Sequence, residues 1–216
     1  MATPLIVMIN GSLHGASEAS NTLRLLCLAE KELLNRGADT MLVQPKPLEC
    51  TIGDSILTET IHYLEPSRVL THLQAADGLI VATGTYWGQG GSTLQRFFEE
   101  ATFSEGTDVW LGKPAALIVS EHSSGGQVVL SNLMLTLSNF GCVIPPQGGM
   151  VYSRTGQAAR SRGEKWAIDV WGLEDVSSIC QKLLAYAARR KAIDWGSSWP
   201  VARNRDELNK AWIGEG

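Results

Sequence analysis

Charge is scarce in this chain: Lys, Arg, Asp and Glu together make up 19% of 216 residues and sum to −4, and no lysine or arginine run forms a polybasic surface. That removes the electrostatic footprint expected of a nucleic-acid binder or of a protein held on an anionic membrane. No apolar run reaches the length of a bilayer-spanning helix. The opening Met-Ala-Thr-Pro-Leu-Ile-Val has no basic stretch, and its short apolar run ends in Asn-Gly rather than at a cleavage site, so a cytoplasmic protein is expected. Cysteine is limited to Cys27, Cys50, Cys142 and Cys180, without a C-x-x-C pair or a histidine at metal spacing. Neither a disulfide framework nor a metal centre is expected. Cys27 and Cys180 fall on apolar helix faces and are assigned to the core. A nucleophile elbow G-x-S-x-G and a His–carboxylate constellation are also missing, which argues against a hydrolase. No internal repeat or low-complexity segment interrupts the chain.

What is present is 44% hydrophobic residues, enough for one sizeable domain with a proper core. The organising stretch is 5–22. Leu5 to Ile9 is an apolar run without alternation, as expected for a parallel strand buried on both faces. Gly11 ends it. Ser12, Ser17, Ser20, Asn21 and Thr22 then set hydroxyl and amide donors beside the free N–H groups of a helix start, where the positive dipole end favours an anion. The loop lacks the lysine of a triphosphate P-loop and the glycine spacing of a dinucleotide fingerprint. Neutral donors of this kind suit a phosphate monoester, and the plainer reading is an ordinary helix capped by Ser20 or Asn21.

Apolar blocks and helical patterns alternate from there. Helices are expected at Leu23–Arg36, around Glu65–Ala76, over Leu94 to Ala101, from Leu130 to Phe140 and over Leu173–Arg190. Strands are expected at Asp39–Gln44, Gly78–Thr83 and Ala115–Val119. A fifth starts at Cys142–Ile144, is broken by Pro145-Pro146 and resumes around Met150–Tyr152. The segment from Pro45 through Asp54 reads as a surface loop. Five β–α repeats make a doubly wound α/β sandwich of three layers with a five-stranded parallel sheet. In such sheets ligands sit beyond the carboxyl ends of the strands at the topological switch point. Three glycine- and hydroxyl-rich loops follow the first, third and fourth of these strands: 11–22, Gly84–Ser92 and Ser120–Gln127. All three open on one crevice.

A ligand filling that crevice puts its phosphate on 12–22 and a flat body between the other two loops, and flavin mononucleotide has that shape. Thr85, Tyr86, Trp87 and Gly88 supply aromatic walls and close backbone; Ser120, Ser123, Ser124, Gly125, Gly126 and Gln127 supply donors on the other side. The plainer reading is that Tyr86 and Trp87 pin a loop to the sheet. Gly11-Ser12 with Ser20-Asn21-Thr22 and Leu25-Leu26, Gly84-Thr85-Tyr86-Trp87-Gly88 followed by Leu94-x-x-Phe97-Phe98, and Ser124-Gly125-Gly126-Gln127 leading to Phe140-Gly141 are the residues that carry a family likeness. Here the sequence resembles the flavodoxin-like NAD(P)H-dependent FMN reductases and NAD(P)H:quinone oxidoreductases, over nearly the whole chain up to Arg190. His14 stands where that family commonly has arginine, and the proline usual after Thr85 is absent.

The resemblance implies a two-step redox enzyme: NADPH or NADH reduces bound FMN, and the flavin then reduces a small-molecule acceptor such as a quinone or a second flavin. His122 is the candidate catalytic side chain, as a donor beside the ring. A loop histidine with a purely structural role is the competing reading. The alternative function is a flavodoxin-type electron carrier, although such carriers use a strongly acidic surface to steer docking. Residues 1–190 are expected to form the FMN-binding domain. The tail, 191–216, carries Trp195, Trp199 and Trp212 and is expected to pack as an arm in a homodimer or homotetramer, with folding back on its own subunit as the other possibility.

Overall fold

The computed structural model describes residues 3–14, 20–45, 62–64 and 66–196. The first strand is β1 (Leu5–Asn10), in which the residues from Ile6 to Asn10 are all buried. It is followed by α1 (Asn21–Asn35), β2 (Asp39–Pro45), β3 (His62–Leu64), α2 (Pro66–Ala75) and β4 (Gly78–Gly84). Then come α3 (Ser92–Ala101), β5 (Ala115–Glu121), α4 (Gly126–Phe140), β6 (Gly149–Ser153), α5 (Arg154–Ser161) and α6 (Asp175–Ala187). The sheet is parallel throughout, in the order β3-β2-β1-β4-β5-β6.

The five expected strands stand in the flavodoxin-like order, and the three-residue β3 adds a sixth at the edge beside β2, where Val43 pairs with His62. Alternate residues of each strand feed two cores, because successive side chains point to opposite faces. Val7, Ile9, Leu79, Val81, Leu117 and Val119 pack with α2, α3 and α4; Ile6, Met8, Ile80, Ala82, Ala116 and Ile118 pack with α1 and α6. Each fully buried large aliphatic side chain contributes roughly 1.5–3 kcal/mol. The first core also holds an aromatic cluster in which Trp110 meets Phe140 edge-on, with centroids 4.8 Å apart, and donates from Nε1 to Ser104 Oγ at 2.8 Å.

Three local expectations change. Cys142–Ile144 is not the start of the last strand: Val143 makes a single parallel bridge to Pro114, and β6 begins only at Gly149, because Pro145-Pro146 remove two ladder donors. Cys27 is exposed rather than in the core, whereas Cys180 is fully buried. The helix α5 is an addition, started by Ser153, whose side chain accepts from Gly156 N. No helix among the described residues is long and apolar enough to cross a membrane.

Candidate active site

The turn after β1 is held from beneath by a buried polar network. Asn10 Nδ2 donates to Gln44 Oε1 at 3.0 Å, Gln44 Nε2 donates to the Ser12 carbonyl at 3.1 Å, and Ser12 N donates to Asn10 Oδ1 at 3.1 Å. Neither Asn10 nor Gln44 stands out in the sequence, since both sit at the ends of apolar strands. Ser12 and Ser20 are buried and 3.2 Å apart between hydroxyl oxygens; His14 N donates to Ser12 Oγ at 3.2 Å, and Leu23 N donates to Ser20 Oγ at 3.2 Å. Ser20 is therefore the N-cap of α1, and the two hydroxyls form a polar seat against the positive end of that helix. Ser17 lies outside the described residues.

The β4 loop closes on this turn. Leu13 N donates to Tyr86 Oη at 3.2 Å, and the His14 and Tyr86 ring centroids are 6.4 Å apart. Thr83 Oγ1 donates to the Gly11 carbonyl at 3.2 Å and accepts from Gly91 N at 2.9 Å, joining β1 to the start of α3. Only glycine fits at 91, where a Cβ would stand 2.1 Å from the Gly11 carbonyl oxygen. Tyr86 and Gln89 exchange both backbone hydrogen bonds around a two-residue turn whose central residues, Trp87 and Gly88, have φ of +51° and +76°. Left-handed backbone at glycine is free of strain, but at tryptophan it is an outlier. Trp87 has no cover at all: its side chain stands fully exposed at the turn tip.

The β5 loop meets both. Thr22 Oγ1 and Ser120 Oγ are 2.8 Å apart, so the Thr22 hydroxyl ties α1 to the end of β5. Thr85 N donates to the Ser120 carbonyl at 2.9 Å. A Cβ on Gly125 would stand 3.2 Å from Thr85 Cγ2 and 3.4 Å from Gly88 Cα, which measures how closely the two loops approach. Glu121, missed in the sequence, accepts from Gly126 N at 2.7 Å and neutralises the start of α4. Thr85 Oγ1 is buried here without a hydrogen-bond partner.

The remaining candidates are open to solvent or line neighbouring cavities. His122, Ser123, Ser124 and Gln127 are exposed. Ser123 and Gln127 line a second cavity on the β6 side of the loop, of about 300 Å³. The His122 carbonyl accepts from Thr155 N at 2.9 Å. Asn21 lines, together with the N-cap Ser20, a groove of about 630 Å³ along α1 that Leu28, Tyr152 and Leu173 complete. Cys27 borders the same groove, and its thiol pKa is raised by partial burial and by Glu30, so it is a poor nucleophile.

A parallel doubly wound sheet with three hydroxyl- and glycine-rich loops joined at the carboxyl ends of its central strands defines the flavodoxin-like fold. The chain belongs to the NADPH-dependent FMN reductase family, whose sequence profile matches residues 4–156. No curated protein matches it in sequence. Among solved structures it is similar to RosB with bound 8-demethyl-8-formylriboflavin-5'-phosphate (TM-score 0.70, 14% identity, 99% of this chain and 88% of that one). It is also similar to FerB, an NAD(P)H:acceptor oxidoreductase from Paracoccus denitrificans (0.57, 16%, 85% and 99%). A third likeness is to the NADH:FMN oxidoreductase EmoB (0.53, 22%, 96% and 100%).

Proposed function

We propose that this protein is an FMN-dependent oxidoreductase that takes electrons from NADPH or NADH and passes them to a small-molecule acceptor. The observation that carries the reading is the convergence of the three loops of an FMN reductase family chain on the paired Ser12 and Ser20 hydroxyls at the start of α1, beside which the Thr85 hydroxyl, like that of Thr93 in α3, is buried without a partner. A buried hydroxyl without a partner costs about 1–3 kcal/mol, and a polar edge of the flavin ring relieves it. Ser12, Ser20 and the first turn of α1 suit the phosphate monoester; Thr85, Tyr86 and the close-packed Gly88 and Gly125 suit the ring. When bound, the flavin supplies the hydride and electron chemistry. The protein's own part is to seat the phosphate, fix the ring between the β4 and β5 loops and leave one face open to reductant and acceptor in turn. His122 is exposed, and its donor role rests on the family resemblance alone.

The test is anaerobic: the purified protein loaded with FMN is mixed with NADPH or NADH and the visible flavin absorbance followed, then a quinone is added. Bleaching by the nicotinamide and recovery with the quinone support the enzyme. Bound FMN that neither nucleotide bleaches supports the flavodoxin-type carrier, and failure to retain FMN removes both. A further reading is favoured by the likeness to RosB, which was captured with a modified riboflavin phosphate: the flavin here is itself the substrate. Mass spectrometry of the flavin recovered after turnover separates the two, since a cofactor returns unchanged.

The reading extends to assembly. The arm expected at 191–216, of which 197–216 with Trp199 and Trp212 lie outside the described residues, is proposed as the contact between subunits of a homodimer or homotetramer, because rigid indoles are enriched at buried interfaces.

A further inference from the structure

On the β6 side of the Glu121–Gln127 loop lies the cavity of about 300 Å³, at the lower end of small-molecule sites, which run from about 300 to 1,000 Å³. One wall comes from the loop, through Glu121 and Ser123. The other comes from residues after 153, through Thr155, Trp166, Asp169 and Trp171. Most of that second wall lies beyond residue 156, where the family match ends, and none of it comes from the β1 or β4 loops that meet at the crevice. It is a built wall: Thr155 N is bonded to the His122 carbonyl at 2.9 Å, and the Trp171 carbonyl accepts from Gln157 Nε2 at 2.6 Å.

The charge of the lining identifies the ligand class. Glu121 and Asp169 carry carboxylates, which only accept, and Glu121 is oriented by the bond from Gly126 N. The Ser123 and Thr155 hydroxyls can both accept. Trp166 has already given its N–H to Glu164 Oε2 at 2.7 Å, so it offers a ligand its π surface. The Gln127 amide, the Ser123, Ser153 and Thr155 hydroxyls and the Trp171 indole N–H are uncharged donors, and no lysine, arginine or histidine lines the cavity. The nearby Arg160 and Arg162 are engaged with Glu174 and Glu164 at 2.6 and 2.7 Å. With two carboxylates, no cationic side chain and the Trp166 π face in its lining, the cavity disfavours an anion and rewards a ligand that brings positive charge.

We propose that this cavity is a binding site for a small organic ammonium compound, separate from the flavin crevice and sharing with it only the Glu121–Gln127 loop. The test is calorimetric titration of the full-length, FMN-containing protein with n-butylammonium, n-butanol and butyrate at fixed ionic strength. Saturable binding of n-butylammonium, about tenfold or more tighter than n-butanol and absent for butyrate, is expected. Asp169→Asn and Trp166→Ala, both at exposed positions, are each expected to weaken it severalfold without loss of the flavin absorbance. Equal binding of the alcohol and the ammonium, no saturation with n-butylammonium, or unchanged affinity in both variants overturns the proposal. Because the flavin absorbance is read in the same samples, a protein that binds the ammonium but holds no FMN defeats the flavin reading and leaves this one standing.

Discussion

Thr85 and Trp87 depart from what an isolated domain would choose, and both sit in the β4 loop. Thr85 buries a hydroxyl without a partner. Thr85→Val keeps the shape and removes the unsatisfied group, so the flavin-free protein should gain about 1–3 kcal/mol in urea unfolding, while FMN affinity falls roughly three- to tenfold. A variant that is no more stable, or that binds FMN as before, removes Thr85 from the site. Trp87 is held at φ +51° with its indole fully exposed. Strain of this kind costs on the order of 1 kcal/mol and persists where function requires it. Trp87→Asn puts a residue that tolerates left-handed backbone before Gly88, the pairing such turns prefer. The expected result is a protein more stable by roughly 1 kcal/mol that turns over acceptors more slowly. If turnover is unaffected, the exposed indole has no part in the reaction.

Among the elements, the approach to β5 carries a cost unrelated to the crevice. Lys113 is fully buried, and its ammonium donates to the Leu73 carbonyl in the last turn of α2. Burial first, and then Arg190, push its pKa down to about 7 from the ordinary 10.5. The unfolded chain thus holds a proton that the folded protein gives up between those two values, so stability should rise as pH climbs from about 7 to 10.5, with the full penalty present below 7. Lys113→Met should flatten that slope and stabilise the protein at pH 6, by an amount on the order of 4 kcal/mol less the lost bond to Leu73. Urea midpoints at pH 6 and pH 9 check both points. The position of such elements was legible wherever pattern and punctuation agreed: α1 ends at Asn35, two residues before Gly37, and β4 runs from Gly78 to Gly84 in one apolar block. It was lost where they conflicted. Apolar Cys142–Ile144 looked like a strand until the prolines moved the ladder to Gly149. The helix α5, with Gly156 inside and no apolar stripe, depends on its Ser153 cap and on packing that a short window does not reveal. At the crevice, hydroxyls and glycines could be read from the chain. The network of Asn10, Gln44 and Ser12 could not, because it joins positions 34 residues apart.

For the molecule as a whole, the residues after α6 tie the chain back onto the sheet. The expected arm begins by folding back on its own subunit. Arg190, which opens a 3-10 turn three residues after α6, donates to the carbonyls of Ala76 at 3.3 Å and Asp108 at 3.1 Å. Trp195 Nε1 donates to the Arg190 carbonyl at 3.1 Å, and its indole lies so close to Gly112 that a Cβ there would stand 2.4 Å away. These contacts clasp the end of the sheet opposite the crevice, where β4 and β5 begin, and hydrogen bonds from a charged group are worth about 1.5–3 kcal/mol. Two truncations separate the clasp from the proposed interface. A chain ending at Ala188 loses Arg190 and Trp195 and should melt roughly 5–10 °C lower, since about 3 kcal/mol is spread over a domain of this size. A chain ending at Gly196 keeps the clasp and should melt as the full-length monomer does, but its mass in light scattering should fall to that of one subunit if residues 197–216 join the copies. An unchanged assembly in the second truncation would place the contact elsewhere on the surface, and an unchanged melting temperature in the first would make the clasp an ornament of the fold rather than a support.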